Sequence, residues 1–433
     1  MAEEKFDAVV VGAGPAGSIA AYTMASKGMK VALIERGEFP GAKNLFGGAL
    51  FRDPLDQIFP EFWKEAPLER AVIEQDFWLL GKDSVSKFGY RNEKYKQANT
   101  WTALRVNFDK WLAGKAEQAG AVPVYETVVT ELLKEDGKVV GVRTDRDDGD
   151  LYADVVIIAD GVNSLLAKSL LIHREWQPDE VSLAVKEIIA LPRQTIEDRF
   201  NLDAGEGTSI EFIGETFGMV GVGFLYTNKE SLSLGIGIMV NDLKKKRIKP
   251  YEVLDGLKEH PMIRRLIQGG EVKEYSGHLI PEGGFTSMPT LAGDGWMICG
   301  DAAQMVNAVT MEGTNLAMQS GQLAGETAVA AKERGDFTVH TLSQYPQAIR
   351  NSVIGKDLKK FKGLHGLMED KAAEVLFGQV PESVNEALYN LFLSDGQPKK
   401  DKQKEIMRSL RQTVGGNLGA VRLAMKGWRA MNG

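Results

Sequence analysis

Hydrophobic residues recur along this chain with two different periods. Short apolar runs rich in β-branched residues stand at 6–11, 31–34, 154–159 and 296–299. Runs of that length and composition suit strands buried on both faces of a parallel sheet. Helical spacing separates them: Phe108, Trp111, Leu112 and Ala116 fall at i, i+3, i+4 and i+8 within 105–120, which gives that segment one apolar face. From Glu180 to about Tyr275 the period drops to two, most clearly in Ser231-Leu232-Ser233-Leu234-Gly235-Ile236-Gly237-Ile238, the alternation of an antiparallel sheet. The pattern further predicts short helices over 55–71, strands over 71–90, one strand over 121–133, and a hairpin of 138–144 with 151–158. It also predicts one helix over 251–267, a small-residue helix over 314–332, and mostly helix beyond 336.

Glycine punctuates the apolar runs in a specific way. The first run breaks into Gly12-Ala13-Gly14-Pro15-Ala16-Gly17, a helical segment follows, and the second run ends on Glu35, 18 residues beyond Gly17. Strand, G-x-G-x-x-G, helix, strand and acid form the order of a dinucleotide-binding βαβ unit. Gly12 allows the tight turn, Gly14 lets backbone N–H groups approach a pyrophosphate, and Gly17 lets helix and strand pack closely. The phosphates then meet the positive end of a helix. Glu35 is suited to accept hydrogen bonds from ribose hydroxyls and to repel a 2′-phosphate, although the neighbouring Arg36 weakens that discrimination. Two further glycine–acid elements stand at strand ends, Ala159-Asp160-Gly161 and Gly300-Asp301, and Gly313-Thr314-Asn315 opens a helix. A nicotinamide enzyme needs only the first element, whereas an extended FAD needs its ribityl chain and ring held far from its adenosine. Asp301 is placed for ribityl hydroxyls, or on its own for a helix N-cap. The Gly47-Gly48 pair suggests either close approach to a flat ligand or a connector.

The chain has 433 residues and a formal net charge of -7. Its length implies two or three domains, and its acidic balance argues against nucleic acid as a partner. Cys299 is the only cysteine, which leaves no set of thiolates for an iron–sulfur cluster and no redox-active disulfide. Five scattered histidines without H-E-x-x-H offer no metal site, so redox chemistry has to come from an organic cofactor. No window has the apolar length of a membrane span and the N-terminus does not read as a signal peptide, so a cytoplasmic location is expected. Residues 399–433 carry nine Lys/Arg against Asp401 and Glu405, a basic segment that fits an anionic lipid surface, an acidic partner, or a solvated tail.

Taken with Lys43-Asn44-Leu45-Phe46-Gly47-Gly48, Gly223-Phe224-Leu225-Tyr226-Thr227-Asn228, Pro281-Glu282-Gly283-Gly284 and Gly300-Asp301-Ala302-Ala303, these motifs resemble the glutathione-reductase-type FAD superfamily in its hydroxylase and geranylgeranyl-reductase branch. Within it the chain is most similar to electron-transfer-flavoprotein:quinone oxidoreductases of the FixC type. The resemblance implies an α/β fold: a discontinuous FAD-binding Rossmann-type domain (1–75, 103–170, 290–345), an antiparallel β-sheet substrate domain (76–102, 171–289), and a C-terminal helical region (346–433). It also implies a non-covalent FAD that takes electrons from a two-subunit electron-transfer flavoprotein and passes them to a quinone. The expected setting is a bifurcating complex with a separate small ferredoxin-like iron–sulfur subunit, peripheral on the inner face of the cytoplasmic membrane. By motif, Arg105 and Val129 line the adenosine, Lys43, Asn44, Phe46, Gly47 and Gly48 the flavin ring, and Thr314 its N1/O2 edge. Gly221, Gly223, Phe224, Gly283 and Gly284 are the loosely matched quinone positions, and Tyr226, His278 and Glu282 are proton-donor candidates. A prenyl reductase of the geranylgeranyl type and a flavin monooxygenase are the alternatives.

Overall fold

The structure is a computed structural model that describes residues 5–42, 48–94, 99–172, 175–214, 216–363, 371–416, 419 and 425–426. The chain divides into two compact units, 1–68, 103–177 and 279–362 in the first, and 69–102, 178–278 and 363–433 in the second.

The first unit is built on a sheet whose strand order is Ala292–Gly293, Trp296–Ile298, Asp150–Ile158, Phe6–Val11, Val31–Ile34 and Val122–Val124. All neighbours are parallel from Trp296–Ile298 to Val122–Val124. Val9, Val10, Leu33, Val156, Ile157 and Met297 are fully buried in it, as continuous apolar runs require. Helices Pro15–Ala25, Arg105–Gln118 and Thr314–Arg334 follow the glycine turns or flank them. The predicted single strand over 121–133 is two strands. Val122–Val124 ends the parallel sheet, the chain reverses at Glu126 (φ 51), and Val129–Glu135 pairs antiparallel with Lys138–Thr144. Valine content marks both pieces as strand but says nothing about the sharp turn between them.

The second unit holds a sheet in which Glu271–Pro281, Val181–Ala190, Ser231–Met239, Gly221–Thr227, Glu206–Ile213 and Leu68–Leu80 follow one another. The pairing is not wholly antiparallel, because Glu206–Ile213 runs parallel to Leu68–Leu80. One face carries Phe212, Leu225, Leu232, Leu234 and Ile236, packed against Leu254, Leu257 and Ile263. The helix expected over 251–267 breaks into Pro250–Glu259 and Pro261–Ile267. Pro261 lacks an N–H and drives His260 into extended backbone (φ -54, ψ 128), from which its imidazole caps the second helix at the Met262 N–H. The helix Val380–Phe392 is tied to the first strands of this unit: Asn385 Nδ2 donates to the Leu79 carbonyl at 2.9 Å, and Glu382 accepts from the Lys82 N–H at 2.7 Å. A basic helix, Lys399–Thr413, follows.

Candidate functional site

In the first unit the glycine motifs have separable causes. Gly12 has φ 101, and a Cβ there would lie 2.3 Å from the Ala159 carbonyl oxygen; one on Gly17 would lie 1.8 Å from the Gly12 carbonyl oxygen. These two residues are glycine because protein backbone passes over them. Gly14 is different. Its φ is -73, and a Cβ built on it meets nothing within 4 Å. Gly313 repeats the situation, with φ -133 and a nearest contact of 3.7 Å. Both are helix N-caps without a side-chain cap, so each helix presents first-turn N–H groups to open space.

The two helices are held together by backbone contact. A Cβ on Gly321 would lie 2.0 Å from the Ala16 carbonyl oxygen, and one on Gly325 3.0 Å from that of Ala20. Gly300 sits where the helices begin, its Cβ position 3.0 Å from Ala16 Cβ and 3.6 Å from Ala317 Cβ. Two positive helix ends therefore flank the short turn Gly300–Ala303 that carries Asp301.

Around this frame stand the polar groups. Glu35 accepts from the Ala13 N–H at 3.1 Å and the Gly37 N–H at 2.8 Å, which ties the second strand's acid to the glycine turn. The Thr127 N–H bonds the Glu35 carbonyl at 3.0 Å, bringing the segment that leads to Val129 alongside. Arg36 is exposed. Asp160 accepts from the Leu166 N–H at 3.2 Å through Oδ2, while Oδ1 is buried without a partner. Burial pushes its carboxyl up to about 6, and Gly161 beside it, with φ 77, opens on empty space. Burial also raises the Asp301 carboxyl, against the pull of Arg105.

Arg105, matched by motif to the adenosine side, stands at the start of the helix Arg105–Gln118. Its buried guanidinium is held by Asp109 (2.6 and 2.8 Å), donates to Thr314 Oγ1 at 3.4 Å, and acts electrostatically on Asp301. It thus joins the Thr314 and Asp301 group. Asp109, which fixes it, carried no signal in the sequence beyond being four residues on along one helix. Asn315, from the glycine-led helix start, and Asn307, which carried no signal in the sequence, complete this end: Asn307 Nδ2 and Asn315 Oδ1 are buried without partners. Of the glycine-rich loop, Gly48 accepts from the Ala103 N–H at 2.8 Å, and Lys43, Asn44, Phe46 and Gly47 lie outside the described residues.

In the second unit Gly221 and Gly223 are occupied by their own neighbours. A Cβ would lie 2.3 Å from Ile238 Cδ1 at the first and 3.2 Å from Leu257 Cδ2 at the second. Phe224 stacks on Tyr226, ring centroids 4.9 Å apart and 21° from parallel. His278 lies on Glu271–Pro281. In the first unit Glu282 and Gly283 precede the short helix Gly284–Ser287, where a Cβ on Gly283 would lie 2.4 Å from Ser287 Oγ.

Open N-caps on two adjoining helices, an acid at the end of the second strand, and unsatisfied buried carboxylate and amide oxygens fit a long dinucleotide gripped at both ends. The fold and site define an FAD-dependent oxidoreductase, and residues 7–173 match the model of the FAD dependent oxidoreductase family. Residues 364–432 match the ETF-QO/FixC family C-terminal domain. The chain is 49% identical to the FixC protein of Bradyrhizobium diazoefficiens, covering 95% of this chain and 96% of that one. It is 41% identical to the protein of Escherichia coli (strain K12) named "Probable electron transfer flavoprotein-quinone oxidoreductase YdiS", covering 94% and 95%. It belongs to the ETF-QO/FixC family of FAD-dependent electron-transfer oxidoreductases. Among solved structures it is similar in fold to a geranylgeranyl bacteriochlorophyll reductase-like protein from Thermoplasma acidophilum (TM-score 0.74, 20% identity, 95% and 96% coverage) and to the flavin-dependent brominase Bmp2 (TM-score 0.66, 18% identity, 98% and 99% coverage).

Proposed function

We propose that this chain accepts electrons from a reduced electron-transfer flavoprotein and delivers them to a membrane quinone, menaquinone or ubiquinone. The bound FAD supplies reversible two-electron chemistry. The protein's part is to bind and bias it: the first-turn N–H groups behind Gly14 meet the pyrophosphate, Glu35 the ribose, and Asp301 the ribityl hydroxyls. Thr314, Asn315 and the Gly313 helix end would favour electrostatically the negative charge that a bound flavin takes on when reduced. Arg105, immobilised by Asp109, adds a fixed positive charge to the same end.

The observation that carries this reading is the pairing of two open helix N-caps and Glu35 with a C-terminal segment, 364–432, of the ETF-QO/FixC type. Cys299, the sole cysteine, is buried, which supports a separate ferredoxin-like subunit as bearer of any iron–sulfur cluster in a bifurcating complex. Among the described residues no helix is long and apolar enough to cross a membrane. Contact with the inner face of the cytoplasmic membrane would then be peripheral. The exposed Tyr389 and Phe392 (66% and 80%) and the basic segment beyond them support it.

The test is anaerobic. Purified full-length protein should show a flavin spectrum that bleaches when reduced electron-transfer flavoprotein is added and returns on adding menadione. Bleaching without return removes the quinone, and no bleaching removes the flavoprotein donor.

A further inference from the structure

The second unit's sheet has a face opposite its apolar core, and one row across it is unusual. Strand register places Lys186, Gly235, Phe224, Glu211 and Phe77 side by side. Gly235 is glycine because the Phe224 ring lies over it, 2.4 Å from where its Cβ would be. In the adjacent row Tyr226 stands opposite Ser209. Glu211 is 6% exposed; Oε1 accepts from Ser209 Oγ at 2.8 Å, and Oε2 is buried with no partner. A buried carboxylate with a vacant oxygen is costly, and nothing in the packing of the strand requires an acid there.

We propose that the Glu211 carboxyl, set by Ser209 and flanked by Tyr226, is the proton donor to the carbonyl oxygen of a quinone ring lying against the Phe224–Tyr226 aromatic pair. This deepens the quinone reading and rests on it. The chemistry suits the place. Offset aromatic faces accept another flat ring, and a neutral carboxyl satisfies its vacant oxygen by donating to a carbonyl. Burial holds the Glu211 carboxyl up at about 7, with Asp76 pushing the same way. Among the titratable groups of the flanking strands, Asp76 and Glu74, with Lys87 and Arg91 opposite, are in register with Ile210 and Thr208 on the other face of the sheet, and Tyr226 stands on the face of Glu211 itself. Lys186 lies three strands away. In the reaction the quinone gains two electrons from the reduced flavin and two protons. The Glu211 O–H bond breaks as one quinol O–H bond forms; solvent protons complete the second quinol O–H bond and restore Glu211, offset by the proton that the reduced flavin releases to solvent as it loses two electrons.

The experiment separates the half-reactions of the intact flavoprotein by stopped flow, with menadione as acceptor. Glu211→Gln should slow reoxidation by menadione roughly 100-fold, far more than it slows reduction by electron-transfer flavoprotein, and Glu211→Asp should recover part of the loss. Independently of turnover, infrared difference spectra of the oxidised wild-type protein with and without menadione should show a carboxylic C=O band that shifts. That band should be missing in Glu211→Gln. Wild-type reoxidation matched by Glu211→Gln, or a carboxyl band indifferent to menadione, overturns the assignment while leaving the quinone reading intact. A wild-type protein that menadione cannot reoxidise ends both. Should Glu211→Gln fail to retain FAD, Tyr226→Phe and the wild-type infrared spectrum decide.

Discussion

Gly14 offers the sharpest separation between a residue kept for folding and one kept for a ligand. A methyl group at this position meets nothing within 4 Å, and its φ of -73 is ordinary for alanine. Losing a glycine from the unfolded chain stabilises by about 0.4–1 kcal/mol, and the poorer N-cap costs a comparable amount, so the apoprotein of Gly14→Ala should melt within a few degrees of wild type. Gly17→Ala is the contrast: its methyl would lie 1.8 Å from the Gly12 carbonyl oxygen, and overpacking of that kind costs about 1–3 kcal/mol or more. For FAD the order reverses in interest. The added methyl occupies the approach to the helix N–H groups, and one charge-assisted hydrogen bond is worth about 1.5–3 kcal/mol. At tenfold per 1.4 kcal/mol, the dissociation constant should rise roughly 10- to 140-fold. Calorimetric melting of the apoprotein and titration of FAD by fluorescence quenching measure the two halves. The reasoning is refuted if Gly14→Ala binds FAD like wild type, or if its apoprotein melts as low as that of Gly17→Ala.

Other consequences are as direct. The raised Asp160 carboxyl favours the protonated folded state, so its own contribution to apoprotein stability should be full below about pH 4 and fall by about 3 kcal/mol as pH rises through 6; the difference between wild type and Asp160→Asn in urea titrations run across the range should show that decline. Arg70, 1% exposed, pairs with Glu197 at 3.0 Å and donates to the carbonyls of Asn228, Glu206 and Lys229, so Arg70→Ala should cost about 3–5 kcal/mol by equilibrium unfolding, since it leaves a buried carboxylate alone. Burial pushes the Cys299 thiol up to about 12, and the native protein should therefore ignore a disulfide-exchange reagent that titrates one thiol after unfolding. Arg105→Met should weaken FAD retention while Arg105→Lys recovers only part of it, because the two bonds to Asp109 need a planar fork; ultrafiltration of the variants measures this.

What the sequence made legible was whatever backbone geometry dictates. Gly12, Gly17 and Gly300 have to be glycine because something passes within 3 Å of them or because φ is positive, and buried parallel strands have to be apolar on both faces. Those demands leave marks in residue identity at fixed spacing, so the cradle could be outlined from the chain alone. Asp109, Asn307 and Glu211 escaped because an acid or an amide is unremarkable until its surroundings are known. The role of each depends on a partner strand or helix far off in sequence. Helix continuity failed at His260 for the opposite reason: apolar periodicity ran on through Pro261, and the local effect of one missing N–H outweighed it.

The seam between the helices that begin at Pro15 and Thr314 carries a last implication. Main chain meets main chain at Gly321 and Gly325, so the distance between the two electropositive tips is set by covalent dimensions and not by any rotamer. Substitutions elsewhere in the hydrophobic interior can drift without loosening the jaws. A single methyl at Gly321, two turns into its own helix but set against Ala16 in the first turn of the other, would pry them apart and degrade nucleotide retention.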